Sequence, residues 1–355
     1  MGYPQMEIGI TRILHNARYI VDYCWKNGIE VMGITKGVCA FEPVVKAMLD
    51  GGVKKLGDSR LDNIKALRQA GFDVPIYLIR IPMLSEVREV VHLANGSLNS
   101  EVNVIKALSQ EARAIGRVHK VILMVDVGDL REGVMPEDVL DTVGQIISLP
   151  GIEFEGLGSN VGCYGGVLPS YENTKLLVDL ARDIERRFEI KVKTLSGGAT
   201  ASLILLEKGK LAPGINQFRV GEAILLGTDT IGYRIVPGTL QGTMKLKTEV
   251  IEVKVKPSCP IGEIGRDAFG NVPFFEDKGP IKRAIVALGK QDCRLEGLIP
   301  KDKSIKILGA SSDHLLLDVT NSGDIKVGDI IEFDMSYVAM LSLMTSKYTE
   351  KIIKD

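Results

Sequence analysis

Apolar and polar positions recur along this chain in two rhythms, and the rhythm changes once. The first helical stripe is Ile13, Leu14, Ala17, Ile20, Val21 and Cys24, with Thr11 placed to cap it and Gly28 to stop it. The short run Glu30-Val-Met-Gly-Ile-Thr35 follows and reads as a strand, and Pro43 opens the next helix. The couplet then repeats. Strand-like runs lie near residues 53–57, 75–81, 97–99, 119–127, 152–159, 192–195 and 216–220. Most gaps hold helical patterns, for example 101–115, 136–149 and 170–188. Strand–helix alternation predicts parallel strands joined by crossover helices. About eight such units in about 230 residues is the size of a (β/α)8 TIM barrel. The rival architecture, a doubly wound open sheet, usually has GxGxxG in its first turn, and none stands there.

Beyond about residue 237 the texture changes. Pro237-Gly238, Gly242 and Gly262 break the chain. Residues 243–256 alternate almost strictly between apolar and polar, which suits a half-buried strand. Further strand patterns lie at 281–288, 304–308, 314–319 and 329–333, and good helical periodicity is absent. The expected organisation is α/β: a barrel over residues 1–237, then a mostly antiparallel β domain over 238–355.

Composition narrows the partners. The chain has 355 residues, 44 Lys+Arg against 45 Asp+Glu, and a net charge of −1. That length accommodates two domains. The charge balance lacks the basic footprint of a nucleic-acid binder. Mean hydropathy is only +0.13, and no apolar run reaches the roughly 18 residues of a membrane span. The start, MGYPQMEIGITR, lacks the pattern of a signal peptide. Five scattered cysteines without a CxxC indicate neither a zinc site nor a disulfide framework. The expectation is a cytoplasmic protein without a metal, acting on a small molecule.

Barrel chemistry sits at the C-terminal ends of the strands. Lys36 closes the first barrel strand. Desolvation at a barrel mouth lowers a lysine's pKa and favours imine chemistry, whereas a head group that escapes to solvent does neither. Ser196-Gly197-Gly198-Ala199-Thr200 is a small-residue turn entering a helix at 201–209, and Arg219-Val-Gly221 lies one strand further on. Either alone is an ordinary glycine turn. Together, after strands seven and eight, they point to a phosphorylated cofactor. Arg131 is placed either to clamp a carboxylate or to pair with Glu132 or Asp129. His15, His92, His119 and His314 do not cluster, so satisfied or solvated side chains are expected. Cys39 and Cys163 leave a thiol mechanism open, although buried structural cysteines are commoner.

These residues carry a resemblance that covers essentially the whole chain. The distinctive stretches are 124–133 (MVDVGDLREG), 219–227 (RVGEAILLG), 260–271 (PIGEIGRDAFGN) and 308–314 (LGASSDH). The chain resembles the alanine racemase fold family of pyridoxal-phosphate enzymes, and most of all its ornithine-racemising members. The likeness implies that Lys36 holds the cofactor covalently and serves as one proton-transfer base. Thr200 then binds the phosphate with Ser196 nearby, and Gly221 and Glu222 offer backbone donors. Arg219 faces the pyridine nitrogen, and Asn160 stands where a histidine often lies beside the ring. Arg131 lies near the phenolic oxygen and the substrate carboxylate. Asp313 is presented to a neighbouring subunit's site in a homodimer, and Tyr348 corresponds to a C-terminal tyrosine at the phosphate.

Departures from the alanine racemase pattern bear on the substrate. Ala40 replaces the tyrosine four residues after the lysine, and Met124 replaces a lysine before Val-Asp. Glu263 takes the place of the tyrosine that acts as the second base, with Asp267, Tyr337 and His314 as rivals. These departures favour a substrate other than alanine. Three alternatives remain open: a racemase of lysine, alanine or serine, a pyridoxal-phosphate decarboxylase of basic amino acids, and a non-catalytic cofactor carrier. The segment Lys290-Gln-Asp-Cys293 does not match the Cys-Asp arrangement of the decarboxylases. A cofactor-free racemase using Cys39 and Cys163 is the remotest reading.

Overall fold

The computed structural model describes residues 2–355, which divide into two units. One is Ile10–Gln241, and the other joins Gly242–Asp355 to the first strand, β1 (Gln5–Gly9).

The larger unit is a closed barrel of eight parallel strands. They are β2 (Glu30–Ile34), β3 (Lys55–Asp58), β4 (Ile76–Leu78), β5 (Gly96–Asn99), β6 (His119–Val125), β7 (Ile152–Ser159), β8 (Thr194–Ala199) and β9 (Gln217–Val220). The ring closes where β9 pairs with β2, Phe218 opposite Val31. Helix α1 (Ile10–Lys26) leads into the first barrel strand; the crossover helices are α2 (Glu42–Asp50), α3 (Leu61–Gln69), α4 (Val87–Leu93), α5 (Val102–Ala114), α6 (Val139–Ile147), α7 (Tyr171–Phe188) and α8 (Leu203–Glu207), and α9 (Glu222–Leu225) follows the last strand. Every barrel strand lies at or beside a run read from the sequence. The first helix differs slightly: it begins at Ile10, one residue before the expected cap Thr11, and buries Ile13, Asn16, Ala17, Ile20 and Cys24. Met32, Ile34, Tyr77, Leu98, Ile122 and Met124 pack into one buried cluster, so the barrel is filled rather than hollow. The Tyr77 hydroxyl is satisfied by Glu155 at 2.7 Å. A short ribbon of β10 (Thr228–Asp229) and β11 (Arg234–Ile235) follows α9.

The smaller unit is built on the long strand β12 (Met244–Pro257). Its other elements are β13 (Pro280–Val286), β14 (Leu298–Pro300), β15 (Lys306–Ala310), β16 (Leu315–Asp318), β17 (Ile330–Met335), α10 (Tyr337–Thr345) and β18 (Glu350–Lys354). The strand order is β14-β17-β12-β13-β16-β15, and β1 and β18 extend it from β12.

Two expectations need correction here. Residues 2–9 do not belong with the barrel. Met6 pairs with Leu246 on β12 and with Lys351 on β18, so the first strand completes the β unit, and the second boundary falls near 241/242 rather than 237/238. This pairing is too distant in sequence for local periodicity to report. The β unit also contains the helix α10. Its sequence YVAMLSLMT is apolar on nearly every face, so it has no alternating stripe to betray it. Among the described residues, no helix is long and apolar enough to cross a membrane.

Candidate active site

Lys36 follows the end of β2 and begins a tight turn. Cys39 and Ala40 both hold positive φ, at 49° and 53°. Left-handed backbone in a non-glycine residue costs roughly 1–2 kcal/mol, so strain is concentrated immediately after the lysine. The turn is anchored from the next strand. Thr35 donates to Asp58 at 2.6 Å, and Asp58 also accepts from the Arg60 amide at 2.9 Å and the Asn63 amide group at 3.0 Å. Burial, with the positive charge of Arg131 next, holds the Lys36 amine below its ordinary pKa. Burial likewise raises the Asp58 carboxyl, while its hydrogen bonds oppose the rise. A sequence reading that stopped at the strand end left Asp58 without a role.

Arg219, on β9, is buried among neutral oxygens. It donates to Ser196 Oγ at 2.6 Å, to the Ser159 carbonyl at 2.7 Å and to Asn160 Oδ1 at 3.4 Å. Desolvation lowers its pKa to about 10, which leaves it charged at neutral pH. The loops after β8 and β9 are sewn together, because Thr200 Oγ1 accepts from the Ala223 amide at 3.3 Å. Gly198 holds φ +122°, and a Cβ there would lie 2.2 Å from Ser202 Oγ. Gly221 precedes α9, while the Glu222 side chain turns away into Thr228 and Thr230, accepting at 2.7, 3.0 and 2.6 Å. Lys36, Ser196, Thr200, Arg219, Gly221, Glu222 and Asn160 therefore all lie at the C-terminal ends of barrel strands or just beyond them.

The loop after β6 brings a further group. Its base is closed by Asp126 N to the Val134 carbonyl at 3.0 Å and Val134 N to the Met124 carbonyl at 2.8 Å. The Asp126 carboxylate accepts from the Gly128 and Leu130 amides at 2.8 and 3.2 Å. Asp129 reaches across to the loop after β7 and accepts from the amides of Cys163, Tyr164 and Val167. These ties present Arg131, whose Nε and Nη2 both bond the Glu132 carboxylate, and whose Nη1 lies 2.8 Å from Cys163 Sγ. The Asp-X-Gly spacing of an Asx turn was the available sequence signal for Asp126. None existed for Glu132 as the direct partner of the Arg131 fork beyond its adjacency.

The remaining candidates belong to the β unit. Glu263 is exposed on the segment between β12 and β13. On the same segment Asp267 accepts from the Phe269 and Asn271 amides at 2.9 and 2.8 Å, and Lys290 stands 3.8 Å away. Those bonds, the Asn271 amide foremost, hold Asp267 below the usual carboxylate range. Asp313 accepts from Gln291 and from Ser312, the latter at 2.9 Å, and His314 is exposed beside it. Tyr337 opens α10, and Tyr348 is exposed, with the Lys347 ammonium 5.2 Å from its ring centre. Of the histidines in the barrel unit, His15 bonds the Gly238 carbonyl, His92 faces Glu111, and His119 is buried against Ser97 at 2.8 Å.

Comparison with known proteins decides the family. The model of the alanine racemase N-terminal domain matches residues 8–229. The chain belongs to the alanine racemase family. An ornithine racemase of Acetoanaerobium sticklandii is 44% identical over 351 residues, covering 98% of this chain and 99% of that protein. A lysine racemase of Thermotoga maritima is 42% identical over 352 residues, covering 99% of each. The crystal structure of alanine racemase from Bacillus anthracis superposes with a TM-score of 0.76 at 17% identity, over 100% of this chain and 96% of that one. As a member of the alanine racemase family the chain is an amino-acid racemase, and pyridoxal 5'-phosphate is the family's cofactor. The donor set fits that group. A lysine amine is held toward its neutral form, and a buried guanidinium bonds only neutral oxygens among its hydrogen-bond partners given above. A hydroxyl and two glycine turns lie at adjoining strand ends.

Proposed function

We propose that this racemase interconverts L- and D-ornithine by removing the Cα proton and returning one to the opposite face. The observation that carries the reading is Lys36, an amine pushed toward neutrality at the mouth of the barrel and flanked by Arg131 and Arg219. Bound pyridoxal phosphate supplies the electron-withdrawing ring that acidifies the Cα–H bond. Thr200, Ser196, Asn160 and the backbone at Gly221 and Glu222 would hold the cofactor. Lys36 Nζ moves the proton on one face. Arg219 keeps its own charge, and a cofactor ring nitrogen held beside it would be kept from taking up a proton by charge repulsion. Arg131 receives the substrate carboxylate through its planar fork.

Glu263 is the proposed second base, and Asp313 completes the site from the β unit of a second copy in a homodimer. An acid exposed on a segment with Ile261 and Phe274, each 91% exposed, supports that arrangement. A fully active monomer in sedimentation velocity contradicts it. The 44% identity to an ornithine racemase supports ornithine, and the 42% identity to a lysine racemase makes lysine the second reading. The five cysteines are all free, which suits a reducing cytoplasm. Purified protein loaded with pyridoxal phosphate is given L-ornithine, L-lysine, L-alanine and L-serine, and products are resolved by chiral chromatography. Ornithine is expected to give the highest kcat/KM, with lysine next and no carbon dioxide released. Fastest turnover of alanine or serine, or release of carbon dioxide, overturns the reading.

A further inference from the structure

Arg131 is already engaged before any substrate arrives. Two of its nitrogens, Nε and Nη2, bond the two oxygens of Glu132, the pairing that a substrate carboxylate would make. The Glu132 side chain retains only 19% of its exposure. Its charge is felt by Arg219, and that of Arg131 by both Lys36 and Arg219, so the pair stands within the cationic mouth. A carboxylate that takes the Arg131 fork must displace Glu132. A neutral amino acid then leaves a half-buried carboxylate without its partner, which is costly. An amino acid with a second ammonium group brings a replacement.

We infer that Glu132 is a specificity residue: a diamino acid exchanges the Arg131–Glu132 pair for two pairs of its own, its carboxylate on Arg131 and its distal ammonium on Glu132. The inference deepens the proposed function and rests on Arg131 as the carboxylate site. It also explains why selectivity for a charged side chain needs no new cation-binding pocket. Only a substrate charged at both ends leaves both Arg131 and Glu132 with an ion-pair partner after the exchange. The Cys163 thiol beside Nη1 keeps the guanidinium oriented while the pairs change.

Two measurements test it, and one is independent of turnover. 5-Aminopentanoate carries the two terminal charges of ornithine without its α-amino group, and pentanoate carries the carboxylate alone. Their binding to wild type and to Glu132→Gln is measured by calorimetry on the cofactor-loaded protein. Wild type is expected to prefer 5-aminopentanoate by at least about tenfold. In Glu132→Gln that preference collapses, because pentanoate gains and 5-aminopentanoate loses. Glu132→Asp should restore part of it. In the kinetic arm, the ratio of kcat/KM for ornithine over alanine falls at least about tenfold in Glu132→Gln, mostly through KM. Unchanged preference in the variant, or no preference in wild type, overturns the inference. So does an equal loss of kcat on both substrates, which marks a catalytic group instead. If wild type discriminates the two probes but racemises neither ornithine nor lysine, the proposed function fails and the charge exchange stands.

Discussion

The barrel mouth and the loops of the β unit both carry acids and bases, but they hold them differently. In the mouth, each group is tied to at least one residue from another strand: Asp58 to Thr35, beside its own-turn partners Arg60 and Asn63, and Arg219 to Ser196 and Ser159. In the β unit, Glu263 is exposed and Asp267 bonds within its own turn. The difference separates two tasks. A cofactor must be held in fixed geometry, and that needs a site preorganised by its own chain. Under the proposed homodimer, the second base is completed only on assembly, and a surface segment suffices until then.

The comparison breaks most sharply at Lys36. Lys36→Ala should lower racemisation by about 10⁴-fold, the upper range for a proton-transfer group, and abolish the visible absorbance of bound cofactor. Retention of either contradicts the assignment. Glu263→Gln should lower the rate in both directions by about 10²-fold while the cofactor spectrum stays as in wild type. Unchanged L-to-D and D-to-L rates on ornithine would remove Glu263 from the mechanism. Arg219→Leu leaves Ser196 and Ser159 without their buried donor, and the loss of charged hydrogen bonds should weaken cofactor binding by about 10–100-fold. Titration of apoprotein with pyridoxal phosphate reads this, and an affinity within twofold of wild type is the contrary result.

A smaller effect concerns stability alone. Burial lowers the His119 pKa to about 4 from the ordinary 6.5 of a histidine. The unfolded chain therefore binds the extra proton first as pH falls, and stability is lost between about pH 6.5 and pH 4. The loss from this residue is on the order of 3 kcal/mol. Urea midpoints across that window should slope less in His119→Gln than in wild type. Parallel slopes would show that other groups govern acid unfolding.

How much of this was legible depends on the range of the cause. All eight barrel strands were readable, because each is a short apolar run flanked by helical stripes, and periodicity is local. Lys36 and the turns at Gly198 and Gly221 were readable for the same reason: they lie at strand ends. The strand Gln5–Gly9 was not, since its partners are near Leu246 and Lys351. The helix Tyr337–Thr345 was hidden by being apolar on all sides. In the site, the Arg131–Glu132 pair was visible only as one option for two adjacent charges. The support of Lys36 by Asp58 was not visible, because a carboxylate on the next strand becomes a neighbour only when the barrel closes.

The most direct test of racemisation at the mouth follows the Cα proton itself. L-Ornithine is incubated with the cofactor-loaded protein in D₂O, and products are separated by chiral chromatography with mass detection. The account predicts D-ornithine carrying one deuterium at Cα, with none formed by Lys36→Ala. Deuterium entering L-ornithine without any D-ornithine would contradict a two-base racemase, and no exchange at all would contradict ornithine as its substrate.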